Sequence, residues 1–333
     1  MNMSVLKYGD ISPRTAAYAA AEMLKRAMPY LILQPFAQTR PIPANSSDTI
    51  KFRRYNSLPL ALTPLAEGVT PSGNTMTATD VSATLSQYGD YIPISDKIAD
   101  THEDQVFKEA QAVIGEQAAQ TVETILFNIL KAGTNVFYTN GADRDEVNTV
   151  YDHDLQTKVV RAFKRQNARK LTKKQDSSVK FNTENVSGGF IGFVHPDLEP
   201  TIRAFSDFID VKDYGSTTPH ESEFGASGEV RYLTSTVFQP WADAGAAGAT
   251  MIATTNSAVA VDVYPILIVA ADSFAVTPLK GKNAIMPMVL NPGVPREGDP
   301  LGQRGYVGWK TWFTGCILNQ VWMARVECAV LEL

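Results

Sequence analysis

LPLALTPLAEGVTPSGNTMTATDVSATLSQYGDYIPISDK, residues 59–98, is the stretch on which the reading of this chain turns. Two runs rich in Thr, Val, Leu and Ala flank a turn cluster, Thr70-Pro71-Ser72-Gly73-Asn74. Pro and Gly-Asn set the turn chemistry, so the stretch predicts a long β-hairpin. No Lys or Arg stands between Arg54 and Lys97. A two-stranded ribbon has no interior of its own and is marginal in water. One this poorly charged is badly solvated on both faces. It is expected to lie against another surface, and another chain is the natural owner of that surface.

The size of the chain gives the ribbon a body to belong to. Its 333 residues make one large or two ordinary domains with a substantial core. Hydrophobic residues at 44% and charged residues at 20% exclude the disordered class. A formal net charge of −5 argues against general affinity for nucleic acid or acidic lipid. Cys316 and Cys328 are the two cysteines, too few for a disulfide framework or a metal ladder; free, reduced, buried thiols are expected. The opening MNMSVLKYGDISPRT lacks the apolar core and cleavage site of a secretory signal. The strongest apolar run, residues 259–271, contains Asp262 and Pro265 and is shorter than the roughly 20 residues that span a bilayer. The expectation is a soluble protein made inside a cell.

Upstream of the hairpin, residues 13–28 predict a short helix, with Pro13 near its start and Pro29 after it. Four prolines between positions 29 and 43 forbid helix or central strand. TIKFRRY at 49–55 is a plausible strand. The first 55 residues therefore read as an extended arm carrying small elements. Downstream comes a long helix over 103–132, capped by Asp100 or Thr101 and stopped at Gly133. Val106, Ala110, Val113, Gln117, Val122, Ile125 and Ile129 recur at helical spacing. Phe107, Ile114, Ala118, Leu126 and Leu130 widen that stripe. Such a helix is a beam of about 45 Å at 1.5 Å per residue, and something large must cover it.

A second helix is predicted over 154–171, then a buried strand FIGFV at 190–194, then a helix over 197–208 opened by His195-Pro196-Asp197. Residues 213–228 read as loop. Candidate strands follow at 229–238, 249–254, 257–270, 306–318 and 320–332, with a Pro- and Gly-rich excursion at 278–305. Trp309, Trp312, Phe313, Trp322 and Met323 read as core or interface anchors of a paired-strand sheet, more simply than as a carbohydrate or cofactor platform.

Catalytic signatures are thin. The four histidines show no metal-ligand spacing, and neither a nucleophile elbow, a P-loop nor a dinucleotide fingerprint occurs. His153-Asp154 and His195-Pro196-Asp197 are best explained as loop histidines before helix starts. Gly225-Ala226-Ser227-Gly228-Glu229 reads as a flexible loop rather than a phosphate cradle. One charge run stands out: Lys158, Arg161, Lys164, Arg165, Arg169, Lys170, Lys173 and Lys174, without an acid between Asp154 and Asp176. Lys158, Arg161, Arg165 and Arg169 are expected on one helix face. A solvated face pairing with acidic neighbours is the simpler reading; contact with nucleic acid or an acidic partner is the functional one.

The order of elements, arm, hairpin, long helix, second helix, strand into a Pro-Asp turn, then β segments, resembles the major capsid proteins of tailed bacteriophages. It is the order of the Hong Kong 97-type capsid fold, an α+β fold, and the sequence is most similar to its N4-like phage major capsid family. AEGVTPSG at 66–73, Tyr88-Gly89-Asp90-Tyr91, FVHPDLEPTIR at 193–203 and FGASGEVRYLTSTVF at 224–238 carry the likeness. The resemblance implies an N-terminal arm (1–58), an extended β-hairpin loop (59–98), a peripheral domain with the spine helix (99–153), an axial domain (154–274) and a peripheral β return (275–333). It implies a hairpin lying over a neighbouring subunit, with Glu67, Val69, Thr70, Met76, Val81 and Leu85 as contacts. It places Lys158, Arg161, Lys164, Arg165 and Arg169 toward the lumen or an acidic patch between subunits.

The implied function is structural rather than enzymatic. Copies of the chain form the pentamers and hexamers of an icosahedral head around double-stranded DNA, within a virion assembled in the host cytoplasm. Portal and scaffold proteins are implied partners, and no cofactor, metal or membrane is implied. Some relatives weld subunits through a hairpin lysine; this hairpin has no amine before Lys97, which points to a non-covalent shell or one clamped by a cement or decoration protein. The rivals are an encapsulin-like compartment, a soluble hydrolase built on His195 and Asp197, and a tail or fibre component.

Overall fold

The computed structural model describes residues 31–332 except 44–46, 65, 66, 69, 71, 102–105, 176–182, 216, 217, 280–284, 294, 296 and 297. The helix expected over 13–28 lies outside the described residues. In chain order the strands and helices begin with β1 (Gln38–Thr39), β2 (Thr49–Tyr55), β3 (Ala78–Thr84), β4 (Ser86–Ser95), α1 (Asp96–Thr101), α2 (Val106–Lys131) and β5 (Val136–Tyr138). They continue with α3 (His153–Arg165), β6 (Leu171–Gln175), β7 (Thr183–Val194), α4 (Glu199–Arg203), β8 (Phe208–Asp210), β9 (Glu223–Ser227) and β10 (Val230–Thr234). The last are β11 (Tyr264–Val269), β12 (Phe274–Val276), β13 (Met286–Leu290), β14 (Arg304–Phe313), β15 (Gly315–Ile317) and β16 (Met323–Cys328).

The largest sheet runs β5-β16-β11-β7-β10-β9-β8, with β6 also on β7. Its central strands are apolar on both faces, as strands covered on both sides must be. Alternate residues go to opposite layers. Phe190 and Val194 of β7 and Ile266 and Ile268 of β11 join Leu155, Val159 and Phe163 of α3. Ile191 and Phe193, with Leu267 and Val269, join Val122, Leu126, Phe127 and Leu130 of α2 on the other side. Leu33 and Phe36 of the arm complete that second layer. Each such buried side chain is worth about 1.5–3 kcal/mol over its exposed state.

The helix α2 spans two bodies. At 26 residues it is about 39 Å long. Its C-terminal half lies on the large sheet. Its N-terminal half lies on a three-stranded sheet, β13-β14-β4, where Ala110, Ile114 and Ala118 meet Ile94, Val307 and Trp309. The buried positions step by four, from Ala110 through Ile114, Ala118, Val122 and Leu126 to Leu130. Val113, placed on the apolar stripe by its spacing, is 48% exposed. Asp100 and Thr101 do not cap this helix, because they are the last residues of α1.

The hairpin is also drawn differently from its expectation. Its arms are β2 and β3, paired antiparallel from Thr49↔Thr84 to Tyr55↔Ala78. Residues 59–69, expected as the first arm, carry no strand among those described; they belong to the tip. Beyond Leu85 the chain leaves the ribbon and pairs as β4 with β14, from Ser95↔Arg304 to Ser86↔Phe313. The expected 59–98 unit is therefore a tip, one ribbon arm and one strand of the body.

Other expectations are corrected by the structure. The second helix ends at Arg165, where Asn167 takes a left-handed φ of 51°, so Leu171 begins a strand and Arg169 is off the helix. The helix expected over 197–208 is a 3-10 turn, Pro196–Leu198, followed by the five-residue α4. Residues 223–234 form a β-hairpin turning at Gly228, φ +55°, not a flexible loop. The 278–305 excursion contains β13. Residues 249–254 contribute only an isolated bridge, Met251↔Leu331. The C-terminal β16 and the early β5 both lie in the large sheet, so residues 136–138 and 323–328 share a body with α3 rather than only with the spine helix.

Candidate assembly interface

The ribbon is held together by exposed polar contacts and one buried foot. Arg53 donates to both oxygens of Asp80 at 2.8 Å. That pairing holds the Asp80 carboxyl below the usual carboxylate range and raises the Arg53 guanidinium. Asn56 donates to Thr77 Oγ1 at 3.1 Å and closes the ribbon below the tip. At the foot, Ala83 is buried with Ala275 and Cys316, and Ile50, Phe52 and Val81 pack against them. Leu85 N donates to the Asp48 carbonyl at 2.8 Å, tying the two feet together.

Beyond the foot the tip's large apolar side chains stand uncovered by the described residues. Leu60 and Leu62 are each 82% exposed and Met76 is 67% exposed. Of the contacts expected on the hairpin, Glu67, Thr70 and Met76 are exposed on the tip, and Val69 lies outside the described residues. Val81 is partly covered and Leu85 is buried, both by their own chain. These two serve the foot, and their sequence position gave no sign of it.

A second uncovered apolar surface lies on the outer face of β13-β14-β4. Tyr91 is 65% exposed, Met288 48% and Tyr306 36%. The register places Gly308 between Met288 and Tyr91 on that face. A Cβ on Gly308 would stand 2.8 Å from that of Tyr91, so the glycine lets the face close flat. Tyr91 and Tyr306 meet edge to face at 6.3 Å. Two apolar surfaces on one chain, neither covering the other, are the geometry of head-to-tail contacts between copies.

The basic run is divided by the structure. Lys158, Arg161, Lys164 and Arg165 sit exposed on α3, Arg169 and Lys170 in the loop after it, and Lys173 on β6. Lys164 reaches Glu229 at 2.7 Å and Lys170 reaches it at 3.5 Å. Those pairs hold the Glu229 carboxyl below its ordinary range. Among the described residues no ion pair engages Lys158, Arg161, Arg165 or Arg169.

The histidine clusters carry structural work. His195 Nδ1 accepts from Asp197 N at 3.3 Å and opens the 3-10 turn, while Tyr264 donates to Asp197 Oδ2 at 2.7 Å. Burial pushes the His195 pKa down, against the pull of Asp197. The first turn of α3 is capped by Asp152, which accepts from Leu155 N at 2.7 Å. His153 lies 3.2 Å from Asp207, and Ser227 donates to the same Asp207 at 2.7 Å. Asp207 stands between serine and histidine, so the imidazole does not meet the serine hydroxyl, and Ser227 is fully buried. No group of residues fit to hold a metal occurs among those described.

The C-terminal end of α2 is clamped to the large sheet. Arg325 donates to the carbonyls of Lys131 and Gly133 there. Glu327, fully buried, pairs with Arg325 at 2.7 Å and accepts from Arg144 at 2.7 and 2.9 Å. Trp241 stacks under Arg144 at 3.6 Å and Lys131 at 3.9 Å. Burial and the nearby Arg144 push the Lys131 amine down to about 8. Guanidinium groups at a helix C-terminus oppose its negative dipole end and satisfy its orphan carbonyls.

Residues 77–277 match the sequence profile of a phage capsid protein family. The chain belongs to that family. The match spans the ribbon's second arm, α2 and most of the large sheet. No curated protein sequence matches the chain. Among solved structures, the capsid of Ralstonia phage GP4 superposes with a TM-score of 0.63 at 10% identity, covering 89% of this chain and 88% of that one. The head structure of Helicobacter pylori bacteriophage KHP40 gives 0.58 at 10% identity, covering 89% and 88%. An encapsulin, SrpI from Synechococcus elongatus, gives 0.50 at 11% identity, covering 100% and 93%. The fold is that of the tailed-phage capsids, and the chain is a structural, non-enzymatic component of a virion capsid.

Proposed function

We propose that this capsid protein closes its capsomers through the ribbon, whose tip seats on the outer face of β13-β14-β4 in a neighbouring copy. The supporting observation is the pair of uncovered apolar surfaces, led by Leu60 and Leu62 at 82% exposure. Leu58, Leu60, Leu62 and Met76 on one side and Tyr91, Met288 and Tyr306 on the other would bury one another. A heterologous contact of this kind closes into rings when the rotation permits, here hexamers and pentamers of an icosahedral head. In this reading α2 with the three-stranded sheet forms the peripheral domain, and the large sheet with α3 forms the axial domain. Assembly takes place in the host cytoplasm with portal and scaffold proteins, and the shell is non-covalent or clamped by a cement protein, although the ribbon's first arm carries one exposed amine, Lys51.

The test is a double substitution, Leu60→Asp with Leu62→Asp. The wild-type chain should form closed particles in electron micrographs that run as monomer bands after boiling on a denaturing gel. The variant should remain soluble with an unchanged circular dichroism spectrum and form no particles. Ordinary shells from the variant would defeat the reading.

The cations without ion pairs, Lys158, Arg161, Arg165 and Arg169, support a further role: weak, sequence-independent contact with packaged double-stranded DNA, or with an acidic patch of a neighbouring copy. Charge reversal at Arg161 and Arg165 should lower DNA filling or particle yield several-fold. Unchanged yield and filling, measured by nuclease-protected DNA per particle, would remove that role.

A further inference from the structure

The arm meets the body at the middle of α2, and it does so on a carboxyl group. Ile32 and Leu33 donate their backbone N–H groups to one oxygen, Glu123 Oε1, at 3.0 and 2.6 Å. Glu123 is fully buried, on the helix face that otherwise presents Ala119, Val122, Leu126 and Phe127. Its second oxygen, Oε2, is buried with no hydrogen-bond partner among the described residues. A carboxylate ion in such a place has, among the described residues, two neutral donors and no cation, a poor exchange for water. A neutral carboxyl keeps one oxygen for both amides and holds its proton on the other. Burial accordingly pushes the Glu123 pKa up to about 8, the two arm amides pulling the other way.

Among the described residues no charge offsets that burial. The nearest elements carry Asp90 on β4, Arg304 and Lys310 on β14, Cys316 on β15 and Tyr264 on β11, with Glu116 and Lys131 on α2 itself. Of the described groups, burial and the amides of Ile32 and Leu33 are what act on Glu123. His220 faces the arm rather than the carboxyl, its ring 5.0 Å from that of Phe36. The arm's other described ties are the burial of Ile32, Leu33, Phe36 and Ile42, one 3-10 turn (Gln34–Phe36), the two-residue β1 on β12, and the amides of Arg40 and Ile42 donating to the Val276 and Pro278 carbonyls.

We propose that Glu123 is a proton-operated latch: neutral, it fastens the arm at Ile32 and Leu33 to the middle of α2, and on ionising it lets that stretch go. The arm's departure is what admits water to the carboxylate. The direction follows from linkage. The held form binds the proton more tightly than the released form, whose carboxyl returns to its ordinary value near 4.5. Holding is therefore strongest in acid, weakens about tenfold per pH unit between the ordinary value and the raised one, and levels off above it. The latch would let a shell-forming chain loosen its arm without breaking either sheet. It stands on the geometry of a single chain and not on the shell-building role.

The test is hydrogen exchange read by mass spectrometry on peptides covering 31–36 of the full-length chain, at pH 6 and pH 8, corrected for intrinsic exchange. Wild-type protection should fall by tens of fold across that interval. Glu123→Gln keeps an acceptor oxygen and cannot ionise, so its protection should be the same at both values. Glu123→Ala should leave the peptide unprotected throughout. Identical pH profiles for wild type and Glu123→Gln would overturn the proposal, as would protection retained in Glu123→Ala. If the alanine variant does not fold, the wild-type and glutamine profiles decide alone, and particle counts play no part in the reading.

Discussion

The large sheet and the ribbon are both made of strands, yet they are stabilised by opposite means. Leu267 in the sheet is fully buried, and Leu60 at the ribbon's tip is 82% exposed. The sheet gathers apolar side chains from α2, α3 and the arm on its two faces and needs no second molecule. The ribbon beyond its foot relies on Arg53–Asp80 and Asn56–Thr77, polar contacts in open solvent that contribute little on their own. One chain thus contains a region that its own described residues cover and a region that they leave exposed.

That contrast is open to direct attack. Phe193, fully buried between α2 and the arm, should give the largest effect: Phe193→Ala costs about 3–5 kcal/mol in urea or thermal unfolding. A loss under about 1 kcal/mol would mean that the sheet is not the self-sufficient body described here. The tip substitutions Leu60→Asp and Leu62→Asp come next, large in particle yield and absent from the unfolding curve of the free chain. Smallest is Arg53→Ala, which should leave the unfolding midpoint unchanged at low and high salt because the pair is exposed. A midpoint shift like that of Phe193→Ala would place the ribbon inside the folded body and erase the contrast.

The legible parts of the fold were those the body buries. An apolar stripe at helical spacing announced α2, covered on one face, and the continuous apolar run FIGFV announced β7, covered on both. The ribbon was recognised as a ribbon but given the wrong arm. Leu58, Leu60 and Leu62 have the composition of a strand, yet Pro59 and Pro64 break it and nothing pairs with it. Its true first arm, TIKFRRY at 49–55, read as a strand, but nothing in its sequence said that its partner would be residues 78–84 rather than a neighbour in the arm. β9 was hidden by Gly225, where a Cβ would stand 2.1 Å from the Phe208 ring; tight packing selected a residue that reads as loop. Glu123 was legible only as an acid on an apolar helix face. Its partners are backbone amides some ninety positions away, which leave no mark in sequence. Of the contacts expected between subunits, Met76 is exposed in this chain while Leu85 is buried in it.

The single residue Leu85 between β3 and β4 sets how the ribbon can move. Its amide is bonded to the Asp48 carbonyl, which ties the two feet together where Ala83, Ile50, Phe52 and Val81 rest on the body. A ribbon tied there would change its angle as a unit rather than its internal shape. Copies at five-fold and six-fold corners of a closed container could then differ by one hinge setting while every strand pairing in their bodies stays the same.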